Sequence, residues 1–170
     1  LRKHGLFVST KDNDFSSHMK NANDTKNGVA QTVKRTFSRS TTISETINAD
    51  RATVWSMLTN AEDFSRWNST IVSMEGKIEQ SGKIQLKSIL DAKRTFKLKV
   101  KEFIPNEKLV WGDAMGERTF TLSKAGKATR FCMTEKIGGP IFPLFASKIP
   151  SFDASFEAFT TDLKKEAESK

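Results

Sequence analysis

The sequence predicts an α+β domain: a curved, seven-stranded antiparallel sheet wrapped around one long C-terminal helix, with a dry interior between them. Three observations predict it. Residues 42–137 fall into strand-length segments with alternating polarity, separated by short polar turns. Residues 151–167 switch to helical spacing, with Phe152, Phe156, Phe159, Leu163 and Ala167 recurring at three and four residues. The aromatic content is thirteen Phe and three Trp with no Tyr, a bias toward rings that need no hydrogen-bond partner when buried.

Taken in order, Thr42–Ile47 alternates and is rich in β-branched residues, which makes it the first strand. Asp50 is placed to cap a helix running from Arg51 to Leu58, whose apolar face carries Val54, Trp55 and Leu58. Asn60 is expected to cap a second short helix ending at Trp67. A six-strand meander follows: Thr70–Lys77, Lys83–Leu90, Arg94–Phe103, Leu109–Asp113, Arg118–Leu122 and Ala128–Ile137. Its clearest member sets Phe96, Leu98 and Val100 on one face and Lys97, Lys99 and Lys101 on the other, the pattern of an antiparallel sheet with one dry side. Asp91-Ala92-Lys93 and Lys124–Lys127 are expected as turns. Gly138-Gly139-Pro140 ends the sheet, Pro143 and Pro150 punctuate the next stretch, and Ser151 is the expected cap of the final helix. An apolar sheet face of this size needs a cover, and the Phe-rich helix supplies it.

A chain of 170 residues is a one-domain length. Residues 1–40 are rich in polar side chains without a sustained period, so they are expected as a disordered tail, with the domain spanning 41–170. Met19 is the expected natural start. The sequence carries no apolar run of the roughly 20 residues that span a bilayer and no secretory signal at its start, so the expected location is cytoplasmic, without stable membrane insertion. The formal charge is +8, but the tail holds eight basic residues against three acidic ones and the remainder twenty against seventeen. A folded part so nearly balanced is not a nucleic-acid footprint, and no nucleic-acid partner is expected. The single Cys132 excludes an internal disulfide, and both histidines, His4 and His18, sit in the tail. No Ser-His-Asp triad, Cys-His pair or metal cluster is therefore expected, and no cofactor.

The order of elements and several of their residues resemble the START-like or SRPBCC superfamily, the helix-grip fold, and in particular its polyketide cyclase/dehydratase-like branch. The matching pieces include Ile47-Asn48-Ala49-Asp50 with Val54-Trp55, and the run Asn60–Trp67. Further on come Gly82, Arg94-Thr95-Phe96, Glu107–Trp111, Ala128–Phe131 with Glu135, Gly139-Pro140, and the closing Phe159–Glu166 helix. The resemblance covers about residues 42–168. It implies a cavity between sheet and terminal helix that takes a lipid-like, polyketide-like or other small hydrophobic molecule.

Strand parity then nominates what the cavity sees. The candidate ligand-contacting set is Trp55, Trp67, Phe96, Leu98, Trp111, Arg118, Phe120, Phe131, Met133, Glu135, Phe142, Phe152 and Phe156, the rings serving as cavity wall or as core filling. Pairing across the Lys124–Lys127 turn would set Phe120 opposite Phe131 and Arg118 opposite Met133, with Glu135 a diagonal neighbour of Arg118. Glu135, Arg118 and Asp113 are the candidates for moving protons, if there is chemistry. Cys132 has the opposite parity and is expected to face outward or pack under a helix. Three functions stay open: a non-catalytic carrier of a hydrophobic molecule, a cyclase or dehydratase, and a chaperone- or ribosome-associated interaction module.

Overall fold

A computed structural model describes residues 26–170. The expected start at Met19 and the first 25 residues of the expected tail lie outside them. Eight strands form one curved, open antiparallel sheet: β1 (Gln31–Arg35), β2 (Ser38–Ile47), β3 (Ile71–Gly76), β4 (Lys83–Ser88), β5 (Asp91–Ile104), β6 (Lys108–Gly112), β7 (Gly116–Ala125) and β8 (Ala128–Gly138). Their spatial order is β1-β2-β8-β7-β6-β5-β4-β3. Helices α1 (Arg51–Thr59) and α2 (Phe64–Trp67) follow β2, and α3 (Asp153–Glu168) closes the chain. The α+β class, the six-strand meander, the paired short helices and the long terminal helix are as the sequence predicts.

The strand count differs by one, because β1 lies within the stretch expected as tail and β2 begins at Ser38 rather than Thr42. Pairing replaces the missing hydrophobic pattern. Thr32 on β1 sits opposite Thr41, their hydroxyls 2.7 Å apart, and donates to Asp153 of α3 at 2.5 Å. Val33, Lys34 and Arg35 stay exposed on this edge strand, so no apolar face marks it. A second difference is at Asp91-Ala92-Lys93, which opens β5 instead of forming a turn; the turn is one step earlier, at Ile89-Leu90.

The third difference sets the geometry of the site. β7 and β8 are joined by the two residues Gly126 and Lys127, with Ala125 paired to Ala128. Gly126 has φ +64°, the left-handed backbone that a two-residue hairpin takes at its first turn position. A four-residue turn would give the expected pairs. The tighter turn slides the register by two, so Phe120 faces Met133, Leu122 faces Phe131, and Arg118 faces Glu135 directly. A two-residue slip keeps every side chain on its face and changes only its partner.

Asp50 caps α1 by accepting from the Thr53 amide at 2.8 Å, and this bond holds its carboxyl below the usual range. Asn60 makes no side-chain cap bond; the chain passes through a 3-10 turn, Ala61–Asp63, into α2. Ser151 does not cap α3 as expected either, since Phe152 occupies the cap position and the Ser151 hydroxyl lies 3.4 Å from the Asp153 amide.

The apolar face of α3 packs on the sheet through Phe156, Phe159, Leu163 and Ala167, all buried. Phe159 is the hub, with ring centroids 5.7 Å from Trp67, 5.9 Å from Phe120, 6.3 Å from Phe64 and 6.5 Å from Phe131. The polar flanks of α3 are anchored as well. Lys164 donates to Glu45 and to the Thr46 carbonyl at 3.0 Å each, Asp162 accepts from the Ser69 amide and hydroxyl, and Glu157 accepts from the Ala30 amide. Arg66 of α2 bridges Asp63 and Glu166, and both carboxyls are held below their ordinary range chiefly by its hydrogen bonds.

Candidate functional site

At one end of the sheet the terminal helix does not reach across. The turns β4–β5 and β6–β7 and the segment 145–152 leave a cavity of about 380 Å³ there. Its walls come from five strands and one loop: Leu86 of β4, Phe96 and Leu98 of β5, Trp111 of β6, Gly116 of β7, Ile137 of β8, and Phe145, Ile149, Pro150 and Phe152 across the top. Alternation on each strand aims these side chains inward, and the long N-terminal half of β5, beyond its last pairing with β6, supplies the outer wall.

One corner is polar. Arg118 on β7 donates its Nε–H to Glu135 on β8 at 2.6 Å, and the two side chains are 18% and 17% exposed. The Phe156 ring lies under the guanidinium, 5.1 Å from its centre. Among the described residues no protein acceptor is found for the Nη groups of Arg118, so this fixed guanidinium can donate to a ligand oxygen. At the mouth stand Arg94, stacked 4.6 Å above Phe96, and Lys148.

Segment 145–152 is held in place by a buried residue of β2. Arg39 donates to the Ile149 carbonyl at 3.1 Å and the Pro150 carbonyl at 2.7 Å, with its guanidinium 4.8 Å from the centre of the Phe152 ring. Burial lowers its pKa, opposed by the nearby charges of Asp153 and Glu135. Behind this segment lies a second, more polar recess of about 630 Å³, bordered by Thr32, Lys34, Arg35, Arg39, Phe142 and Asp153.

The candidate residues divide. Phe96, Leu98, Trp111, Asp113, Arg118, Glu135 and Phe152 line the cavity together. Trp55, Trp67, Phe120, Phe131, Met133 and Phe156 lie in the packed core behind it, and Phe142 borders the second recess. Trp111 fills both roles, packing on Phe120 at 4.7 Å while facing the cavity. Asp113 spends one carboxylate oxygen on its own turn, accepting from the Met115 and Gly116 amides at 2.8 and 3.0 Å. Cys132 is buried on the other face from Met133, in register with Ser44 and Thr121, and burial pushes its thiol up, away from the reactive thiolate. Sequence reasoning missed Leu86, Phe145, Ile149 and Pro150. The available signal was Phe142–Pro150 itself, a loop too apolar to be only a connection. Among the described residues no group of three or more His, Cys, Asp or Glu side chains could hold a metal ion, and no helix is long and apolar enough to cross a membrane.

The model of the family described as Activator of Hsp90 ATPase homolog 1-like protein matches residues 48–166, from the start of α1 through α3. The chain belongs to that family. The Activator of Hsp90 ATPase homolog 1-like family lies within the SRPBCC/START-like superfamily that the sequence motifs resemble. A search of curated proteins finds no match. Among solved structures, a conserved protein of unknown function from Enterococcus faecalis aligns with a TM-score of 0.62 at 15% identity, covering 95% of this chain and 85% of that one. A START superfamily protein from Mycobacterium smegmatis aligns with a TM-score of 0.56 at 15% identity, over 76% of this chain and 97% of its own. The di-domain ARO/CYC protein BexL of the BE-7585A biosynthetic pathway gives 0.61 at 10% identity over 81% of this chain, which spans about half (52%) of that longer protein. At these identities the likeness establishes a shared fold. The family match, which begins at residue 48, leaves β1 and β2 outside it, although β2 carries Arg39, which pins the cavity's roof.

Proposed function

We propose that this domain binds a small, largely hydrophobic molecule in the 380 Å³ cavity, with an oxygen-bearing end of that molecule at Arg118. The observation that carries the reading is the pairing of an apolar wall with one converging polar corner, the composition of a ligand site rather than of a packing gap. The volume stands at the small end of ligand pockets, which favours a medium-chain or single-ring compound over a long lipid. Arg118 is stacked and tied at Nε, so an acceptor oxygen meets donors whose geometry is already fixed.

The same geometry favours holding over turnover. Glu135 gives one carboxylate oxygen to Arg118 at 2.6 Å and Asp113 gives one to two turn amides, and among the described residues no histidine stands beside either to relay a proton. The likeness to an ARO/CYC protein supports a cavity of this kind without supplying a catalytic residue. The chaperone named in the family's description belongs to the namesake protein.

Calorimetric titration with octanoic acid tests the reading, with the Leu98→Trp variant as the comparison. The added ring enters empty volume instead of packed core, so the variant should fold with unchanged or slightly raised stability. Its affinity for octanoic acid should fall about tenfold or more as the volume is taken. Equal binding by the two proteins would place the ligand elsewhere.

A further inference from the structure

Four connections meet at the cavity's end of the sheet, and each carries large apolar side chains into solvent. The β1–β2 turn exposes Phe37, the β4–β5 turn Ile89 and Leu90, and the β6–β7 turn Met115. The segment after β8 exposes Ile141 (60%) and Leu144 (80%). Register and hydrogen bonds put them on one rim. Ser38 pairs with Gly138 and Gly116 with Ile137, the Gly138 amide donates to the Met115 carbonyl, and the Gly139 amide donates to the Phe37 carbonyl. Leu90, Met115 and Phe145 also border the cavity, so the rim surrounds its mouth. The turns at the other end of the sheet, 77–82, 105–107 and 126–127, expose no large apolar side chain; Ile104, at the end of β5, is the nearest.

Isolated exposed hydrophobics are ordinary, but six on four loops around one opening are an unpartnered surface. The charges between them are mainly basic. Arg35, Lys93, Arg94 and Lys148 are exposed there, against Asp91 and an Asp113 whose carboxylate is bonded to its own turn. We propose that this end of the domain docks shallowly on an anionic lipid bilayer, the apolar tips entering the headgroup region and the cations facing acidic lipids. Charge complementarity selects an anionic surface, since each Lys or Arg near one is drawn to it by its potential. The tips stand on separate loops around an opening, and a fluid interface accepts such tips individually. Docking here opens the cavity's mouth toward the membrane, so that an apolar molecule enters or leaves without crossing water. The inference uses the position of the mouth and not its contents, and it is tested without any cavity ligand.

The experiment is co-sedimentation of the full chain with vesicles of phosphatidylcholine alone and of equal parts phosphatidylcholine and phosphatidylglycerol. Binding is expected to the mixed vesicles only, and to weaken with added salt. Ile141→Asp with Leu144→Asp should reduce it about tenfold or more, and Lys93→Glu with Lys148→Glu should do likewise through charge alone. All four positions are exposed, so folding should survive, and circular dichroism checks that it does. Ile104→Asp at the far end should bind as the unaltered chain does. Failure to bind the mixed vesicles, equal loss in Ile104→Asp, or undiminished binding by both rim variants overturns the proposal. So does a rim-dependent dimer in sedimentation velocity without vesicle binding, which would assign this surface to a second copy.

Discussion

Replacing Phe159 with alanine is expected to lower the unfolding free energy by about 3–5 kcal/mol, the cost of a large cavity in a ring-packed core. Phe159 is buried on α3 and touches rings from α2 (Trp67 and Phe64), from β7 (Phe120) and from β8 (Phe131). Truncation therefore strips one partner from each of four rigid side chains at once, and flat aromatic walls collapse poorly into the space. A domain of this size has roughly 5–15 kcal/mol in total, so the variant should sit near its unfolding threshold. Urea titration followed by tryptophan fluorescence measures it. Phe159→Leu, which keeps most of the volume, should cost less than half as much. A loss below about 1 kcal/mol for the alanine variant would mean that α3 is not the keystone of the core.

Arg118→Met should separate binding from stability. The substitution keeps a long apolar stem over Phe156 but removes the donors at the polar corner. Affinity for octanoic acid is expected to fall about tenfold to a hundredfold, the worth of a charge-assisted hydrogen bond, while octanol, which lacks the charge, loses less. Glu135 then loses its hydrogen-bonded counter-ion and keeps only the more distant charge of Arg39. Breaking a fully buried pair costs about 3–5 kcal/mol; with both side chains roughly a sixth exposed, solvent screening should bring this nearer 2 kcal/mol. The double variant Arg118→Met with Glu135→Leu should regain stability, because the unpaired charge is gone, and should not regain affinity. Recovery of both properties together would mean that the pair serves packing rather than recognition.

What could be read from sequence followed from how strongly each element advertises itself. β5, with Phe96, Leu98 and Val100 against three lysines, and α3, with its Phe spacing, carry a burial pattern that local physics dictates. β1 carries none. It is held by the Thr32–Thr41 and Thr32–Asp153 contacts, and its exposed edge lets the composition look like tail. The Arg118–Glu135 pair was legible as diagonal neighbours on one face but not as directly opposed residues, because the register hangs on whether the hairpin turns on two residues or four. The cavity was the least legible feature. Phe120, Phe131 and Met133 share inward parity with Phe96 and Leu98, yet they sit in the core packed by α3 while the others line the cavity. Parity assigns a side of the sheet; only the position of the covering helix decides whether that side is filled or hollow. The roof came from the loop at 145–152, whose path depends on a distant arginine, Arg39, reaching two of its carbonyls.

The measurement closest to the central claim is a methyl-resolved NMR titration of the chain with octanoic acid. Leu86, Leu98, Ile137 and Ile149 border the cavity, whereas Ile47, Leu58 and Leu163 are buried in the core outside it. The account predicts saturable shifts and contacts to the acid's chain at the first four methyl groups, with Ile47, Leu58 and Leu163 unmoved. Shifts centred on the second group, or none at any of these methyls up to the solubility of the acid, would contradict it.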